Sequence, residues 1–277
     1  MTHDWSRYWR SDTGRIEAMH AHFERHVYHR HSHDTYSFGV TETGAQAFAC
    51  RGASRVSAAG MVMAFNPEDP HDGHAADALG FTYRIVHLGP DLIDAALADL
   101  AGRPVGSPLF VDPVLDDPVL AAALRRLHRA LLPDDGVGIA TPLRRTELVD
   151  TAVRLLVARG ATGRPGPATV PAARSLAVAA RRYLDGTYLS GLDTAELAAA
   201  TGASRFAVYR AFRATFGLSP SDYQRQLRLR YARRLLTAGT PVALAAGTAG
   251  FADQAHLTRW FRRCYAITPA AYVAATG

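Results

Sequence analysis

The feature that most constrains this chain is a repeat near its C-terminus. Ser204, Val208, Arg210, Phe212, Gly217, Ser219, Pro220 and Tyr223 recur 49 residues later as Asp253, Leu257, Arg259, Phe261, Ala266, Thr268, Pro269 and Tyr272. A duplicated unit of this size is one supersecondary element that must stack on its copy to bury an apolar face. Upstream the offset falls to 47, with Leu197-Ala198 matching Leu244-Ala245, so the second copy carries the longer turn. Each copy reads as helix, turn, helix. In the first, Asp193 and Glu196 have capping-box spacing and the helix stops at Gly202. Ser204 then caps a second helix that runs to Gly217. Val208, Phe212, Thr215 and Phe216 line one face of it, and Arg205, Phe206, Tyr209, Arg210 and Arg213 line the other. The second copy presents Gln254, Ala255, Thr258, Arg259 and Arg262 above Leu257 and Phe261. A helix buried on one side and bearing arginines and aromatics on the other suits a DNA major groove, where the simpler alternative is a solvated basic face. Duplication favours DNA. Between the copies, 220–238 contains no breaker and predicts a connecting helix of about 28 Å, near the roughly 34 Å that separates successive grooves on one side of the duplex.

Charge divides the chain in the same sense. Residues 1–169 carry 17 arginines against 20 acidic residues, and 170–277 carry 14 against 5. Lysine is absent, so every side-chain cation except histidine is a planar guanidinium suited to bidentate contact with phosphate or guanine. Eleven of the 12 histidines precede residue 170. An acidic, His-rich half joined to an Arg-rich half reads as a sensor tethered to a nucleic-acid binder. The length of 277 residues predicts two folded units. No apolar run reaches a membrane span and the N-terminus lacks a signal-peptide core, which predicts a soluble, cytoplasmic protein. Cys50 and Cys264 are too far apart and too few for a disulfide framework or a zinc finger.

The first half begins as strands. YSFGVT, AQAFAC, MVMAF and FTYRIVHL are separated by turn signals at Thr43-Gly44, Arg51-Gly52 and Asn66-Pro67, which predicts an antiparallel barrel or sandwich. After Pro90 the apolar period becomes helical, first at Leu92, Ile93, Ala96 and Leu97, then in two helices over 117–132 and 141–158 joined by a Pro-Asp-Asp-Gly turn. The Gly/Pro-rich run 161–171 predicts a linker between an N-terminal domain, 1–160, and a DNA-binding domain, 172–277. His31 and His33, two apart in an extended segment, project to one face. His71, after the Asn66–Pro70 turn, and His87, in the alternation Phe81, Tyr83, Ile85, His87, are placed to join them. Three imidazoles, His31, His33 and His71, match a zinc or iron ligand set, and the same side chains equally suit a polar effector or internal hydrogen bonds.

Residues 190–273 resemble the DNA-binding domain of AraC/XylS-family transcription regulators. The likeness is carried by Ser204, Val208, Arg210 and Phe212, by Gly217-Leu218-Ser219-Pro220 and by Tyr223. It continues at Arg228, Ala232, Leu235 and Leu236, then at Gly250-Phe251, Asp253, Leu257, Arg259, Phe261, Thr268-Pro269 and Tyr272. Ala266 stands where that family usually has glycine, and Val273 where a basic residue is common. The H-x-H element with Gly60, Pro67 and His71 resembles the cupin-like barrel that many members use as an effector domain. Metal-binding cupins place a glutamate shortly after H-x-H, and here Tyr36, Ser37 and Phe38 occupy those positions. The resemblance implies two domains, a mainly-β cupin-like barrel followed by an α-helical pair, and an all-α double helix-turn-helix. It implies double-stranded DNA, a small-molecule effector and RNA polymerase as partners, and a homodimer through the Leu-rich helices of 117–158. On this reading Arg205, Phe206, Tyr209, Arg210, Arg213, Gln254, Ala255, Thr258, Arg259 and Arg262 meet DNA. His31, His33, Tyr36, His71, Tyr83 and His87 meet the effector, with no obligatory cofactor and a divalent metal as a further occupant of His31, His33 and His71. Trp5, Tyr8 and Trp9 read as an arm over the barrel mouth or as an anchoring patch.

Two enzymatic readings compete with this non-enzymatic one. A metal-dependent cupin enzyme carrying a DNA-binding tail needs a complete facial ligand set, which the missing carboxylate disfavours. An alkyl-transfer repair protein needs an activated acceptor thiol, and Cys50 lies in a strand pattern without a basic partner in sequence.

Overall fold

A computed structural model describes residues 4–11, 16–101, 106–131, 142–161, 172–191 and 193–276. The chain divides into two compact units, one of 1–27 with 33–166, the other of Tyr28–Ser32 with 167–277. The division near 166 falls inside the expected 161–171 linker, of which residues 162–171, like the Pro-Asp-Asp-Gly turn at 133–136, lie outside the described residues.

In the first unit the strands are β1 (Trp5–Arg10), β2 (Ile16–Phe23), β4 (Tyr36–Cys50), β5 (Ala53–Ala58), β6 (Val62–Phe65), β7 (His71–Ala75), β8 (Phe81–Leu88) and β9 (Val114–Leu115). Strand β3, Tyr28–His31, packs with the second unit. One sheet runs β1-β2-β8-β4-β6-β9, and the far half of β4 pairs instead with β5 and β7. The expected arm at Trp5–Trp9 is therefore an edge strand of the sheet, with Trp9 buried. Neither the turn at Thr43-Gly44 nor the two separate strands flanking it form. A bulge between Thr41 and Thr43 and a positive φ of 70° at Gly44 bend a single 15-residue strand from one sheet into the other. A Cβ at Gly44 would lie 2.0 Å from the Gly80 carbonyl oxygen, so only glycine fits the bend. At Arg51-Gly52 the turn does form, as a two-residue hairpin between β4 and β5 with φ of 50° and 80°, the type I′ geometry that matches strand twist.

Helices α1 (Pro90–Ala101), α2 (Pro118–Ala130) and α3 (Pro142–Gly160) cover one face of this sheet. Asp117 caps α2, accepting from the amides of Val119 and Leu120. Leu120, Leu124 and Leu127 of α2 and Val153 and Leu156 of α3 are buried against Tyr36, Phe38, Val40, Val86 and Leu88. Each fully buried leucine contributes about 2 kcal/mol, so the leucines expected to face a second subunit serve the unit's own core first.

The second unit holds α4 (Ala172–Thr187), α5 (Thr194–Thr201), α6 (Arg205–Phe216), α7 (Pro220–Thr237), α8 (Val242–Thr248), α9 (Gln254–Tyr265) and α10 (Pro269–Thr276). The double helix-turn-helix expected from the repeat is present, and the loop between α8 and α9 is two residues longer than that between α5 and α6. Sequence reasoning missed α4, whose Ala180 and Leu184 pack on Leu197, Val208 and Phe212. The capping box at α5 forms by half. Asp193 accepts from the Ala195 amide, while the Glu196 carboxylate accepts from the Tyr183 hydroxyl at 3.2 Å.

Candidate functional site

Helices α6 and α9 are twelve residues each, with both ends 49 residues apart. Ser204 and Asp253 cap them, accepting from the amides of Ala207 and His256 at 3.2 and 2.6 Å. Gly217 and Ala266 end them in the left-handed conformation, with φ of 68° and 54°. The glycine position taken by Ala266 thus keeps its geometry at the cost of an L side chain in that region. Beneath the helices Val208, Phe212, Leu257 and Phe261 are buried. Above them Arg205, Tyr209, Arg210, Arg213, Gln254, Ala255, Arg259 and Arg262 are exposed and Thr258 is half-buried; the side chain of Phe206 lies outside the described residues. An Arg213 Nη1–H donates to the Tyr209 hydroxyl at 3.1 Å, which orients both along one turn. The result is two arginine-bearing helix faces with four-atom planar donors aimed outward, the chemistry that guanine O6/N7 and phosphate oxygens accept.

What fixes these faces relative to one another is α7 and Arg228, one of the residues that carry the family resemblance. The Arg228 guanidinium donates to the carbonyls of Tyr188 at 2.7 Å, Ser190 at 2.6 Å and Gly250 at 2.8 Å. It thereby joins the chain entering the first helix-turn-helix to the turn of the second. A Cβ on Gly250, at φ 79°, would come within 3.0 Å of that guanidinium carbon. Tyr223 adds a second tie, donating to Asp185 at 2.7 Å and accepting from Arg181 at 3.0 Å, so α4 is held on α7.

In the first unit strand alternation sorts the effector candidates. Ser37 pairs with His87 and Tyr36 with Leu88, so Tyr36 lies on the opposite face from His87. Tyr36 is buried among the helices, its hydroxyl donating to the Pro108 carbonyl at 2.8 Å, and burial pushes its phenol up to about 12. It is corrected from an effector contact to a core residue. Tyr83 keeps the face of His87 but packs at the far end of β8, against Phe81 and Phe23 with ring centroids 5.4 and 6.2 Å away. The histidines do converge. The His33 ring lies 4.6 Å from His87 and 5.3 Å from His71, and His71 stacks on Phe65 at 4.0 Å. Ser37 and His87 share a 2.8 Å hydrogen bond. Of the three candidate metal ligands, His33 and His71 belong to the first unit and His31 to the second. Nδ1–H of His31 donates to the His29 carbonyl at 2.7 Å and Nδ1–H of His71 to that of Asp69 at 2.9 Å, which sets the tautomer of both neutral rings. Cys50 is fully buried, opposite His71 in the strand register, and lacks the access an acceptor thiol requires.

Sequence reasoning missed a second polar cluster on α2. His128 is buried, its Nε2–H donating to the Met19 carbonyl at 3.0 Å and its Nδ1 accepting from Arg84 at 3.2 Å. Glu42 binds both Arg84 and Arg125, at 3.0 and 2.8 Å. Its histidine was one of many in an His-rich half, and nothing local marked it.

A mainly-β ligand-binding domain followed by a helical domain with two helix-turn-helix units defines a transcription regulator that responds to a ligand. Residues 13–152 match the AraC-like ligand-binding domain and residues 197–275 match a helix-turn-helix domain. The chain belongs to the AraC family of regulators. It is 27% identical over 227 residues to the HTH-type transcriptional regulator YbfI of Bacillus subtilis, covering 82% of this chain and 80% of that one. Its fold is similar to that of ToxT from Vibrio cholerae, with a TM-score of 0.54 at 11% identity over the full length of both chains. A ToxT structure with an unsaturated fatty acid bound matches with a TM-score of 0.53 at 9% identity, over 99% of this chain and 97% of that one. Among the described residues no helix is long and apolar enough to cross a membrane.

Proposed function

We propose that the protein is a cytoplasmic, non-enzymatic regulator that reads two DNA tracts about one helical turn apart with α6 and α9. The observation that carries this is the pairing of two helices of equal length, capped at equivalent positions, each presenting arginines on the face opposite its buried Phe. Arg210 and Arg259 read bases, and Arg213 and Arg262, one turn on, hold phosphates. Arg205, Phe206, Tyr209, Gln254, Ala255 and Thr258 complete the two surfaces. Selection of binding sites from random duplexes tests this: the expected product contains two tracts, and a single tract or none counts against it.

The effector occupies the barrel, with His33, His71 and His87 at its polar end and Tyr83 further along an interior that also carries Phe23, Phe65 and Phe81. Rings and imidazoles on one face suit an amphipathic molecule with a carboxylate or hydroxyl head, and the fatty acid in ToxT is consistent with such chemistry. A ligand that binds only the folded barrel raises Tm, and His33→Ala removes that rise. The second reading is a divalent metal on His31, His33 and His71, supported by the ligand chemistry of imidazole and by the backbone-anchored Nδ1 atoms of His31 and His71. Metal content of the purified protein, with and without added zinc or iron, decides between them. Homodimerisation through α2 and α3 and recruitment of RNA polymerase belong to the same reading; sedimentation at micromolar concentration tests the dimer.

A further inference from the structure

The DNA-binding unit contains five residues that come from far upstream in the chain, Tyr28–Ser32. They occupy a groove whose walls are α7, α9 and the end of α6. Arg30 Nε–H donates to the Gly217 carbonyl at 2.9 Å, at the cap of the first reading helix. The Ser32 amide and hydroxyl both donate to Gln226 Oε1, at 3.1 and 2.8 Å, and Arg230 Nη2 donates to the Ser32 hydroxyl at 3.1 Å. His29 Nε2 lies 3.9 Å from Asp222 Oδ1, and its ring meets Trp260 of α9 edge-on at 5.0 Å. The Arg225 guanidinium covers Trp260 at 3.8 Å. His29, then Ser219 and Arg225, hold the Asp222 carboxyl well below the usual carboxylate range against the opposing effect of burial.

Two properties of this groove identify its occupant. Gln226 and Arg230 are 5% and 8% exposed, an uncommon state for such side chains, and the segment supplies partners to both. Gln226 Nε2 is nevertheless buried without a hydrogen-bond partner among the described residues, so the seat is incompletely satisfied and suited to release. The contacts reach all three elements that set the separation of the reading helices. None of them uses Arg210, Arg213, Arg259 or Arg262.

We propose that Tyr28–Ser32 is a brace for the reader, docked in the α6–α7–α9 groove to hold α6 and α9 at the separation that lets both engage DNA together. In sequence the segment lies between β2 and β4. This rests on the two-tract reading above.

The test uses the full-length protein with Cys50→Ser, which leaves Cys264 as the one thiol. Cys264 lies in the cleft with His29, Arg30 and Trp260 and is 3% exposed, and burial pushes its thiol up to about 12. Arg30→Ala/Ser32→Ala is compared with its parent in maleimide labelling and in binding to a selected two-tract duplex and to the same duplex with one tract scrambled. The expected result is labelling at least tenfold faster and two-tract affinity at least tenfold weaker, with one-tract affinity unchanged. Faster labelling with unchanged two-tract affinity overturns the brace, and so does unchanged labelling, because these contacts would then not hold the segment. Equal loss on both duplexes overturns it as well, since the variants would be acting on the fold. Arg30→Gln, which removes the guanidinium that donates to Gly217 and leaves Ser32 in place, is expected to give an intermediate rate and affinity if the fold is intact. Failure of wild type to distinguish the two duplexes would instead refute the two-tract reading.

Discussion

Acid should unfold the ligand-binding domain through His128. Burial is the main cause that holds this imidazole down to about 3; the Met19 carbonyl opposes it, and Arg84 and His20 add to it. In the unfolded chain the ordinary value is about 6.5, so between pH 6.5 and 3 the unfolded state binds a proton that the folded state refuses. The folded value is depressed, hence the contribution is complete above pH 6.5 and declines as pH falls toward 3. At pH 5, one and a half pH units below the unfolded value, the loss is about 2 kcal/mol at roughly 1.4 kcal/mol per unit. Protonation also places an N–H on Nδ1, where the ring now accepts from Arg84. His20, held down to about 4 by burial and Arg84, adds in the same direction, so wild type alone cannot isolate the effect. His128→Gln keeps a donor for the Met19 carbonyl and does not titrate. Urea unfolding of both proteins from pH 7.5 to 5 should show the stability advantage of wild type shrinking by about 2 kcal/mol. Parallel profiles across that range would refute the assignment of a buried neutral imidazole.

Ala266→Gly relieves a left-handed alanine at the end of α9 and should stabilise by about 1 kcal/mol, raising Tm by about 4 °C; an unchanged or lower Tm in calorimetry would contradict the cap. Arg228→Ala removes donors to three carbonyls and should cost about 2–3 kcal/mol in denaturant unfolding, and Arg228→Lys should recover less than half, because an ammonium cannot span Tyr188, Ser190 and Gly250 together. Full rescue by lysine would show that charge alone acts there. Gly44→Ala should destabilise by at least 2 kcal/mol, since the new Cβ meets the Gly80 carbonyl and the φ is positive; a smaller loss by urea titration would mean β4 can bend elsewhere.

What was legible in the sequence was local. Caps at Ser204 and Asp253, the turn at Arg51-Gly52 and strand β8 each declare themselves within a few residues, and the repeat made the two reading helices legible together. Strand β2 was missed because IEAMHAHF buries two alanines and a methionine where branched residues would have given a stronger strand signal. Gly44 misled because the same conformational freedom serves a turn or a bulge, and only the approach of Gly80 decides which. Tyr36 was assigned to the wrong side because the pleat fixes alternation but not which face the helices cover. Arg228 and the Tyr28–Ser32 seat depend on partners 22 to about 200 residues away, and no spacing rule reaches that far.

The measurement that bears most directly on the central claim is binding-site selection with wild type, Arg210→Ala and Arg259→Ala. The account predicts a wild-type site of two tracts about one helical turn apart, with each variant losing preference in one tract, a different one for each, at a cost of roughly 1–3 kcal/mol per lost base contact. Arg213→Ala and Arg262→Ala, run alongside, should weaken all sequences evenly and lower the salt dependence. Unchanged specificity in both Arg210→Ala and Arg259→Ala would contradict the assignment of α6 and α9 as the paired readers of DNA.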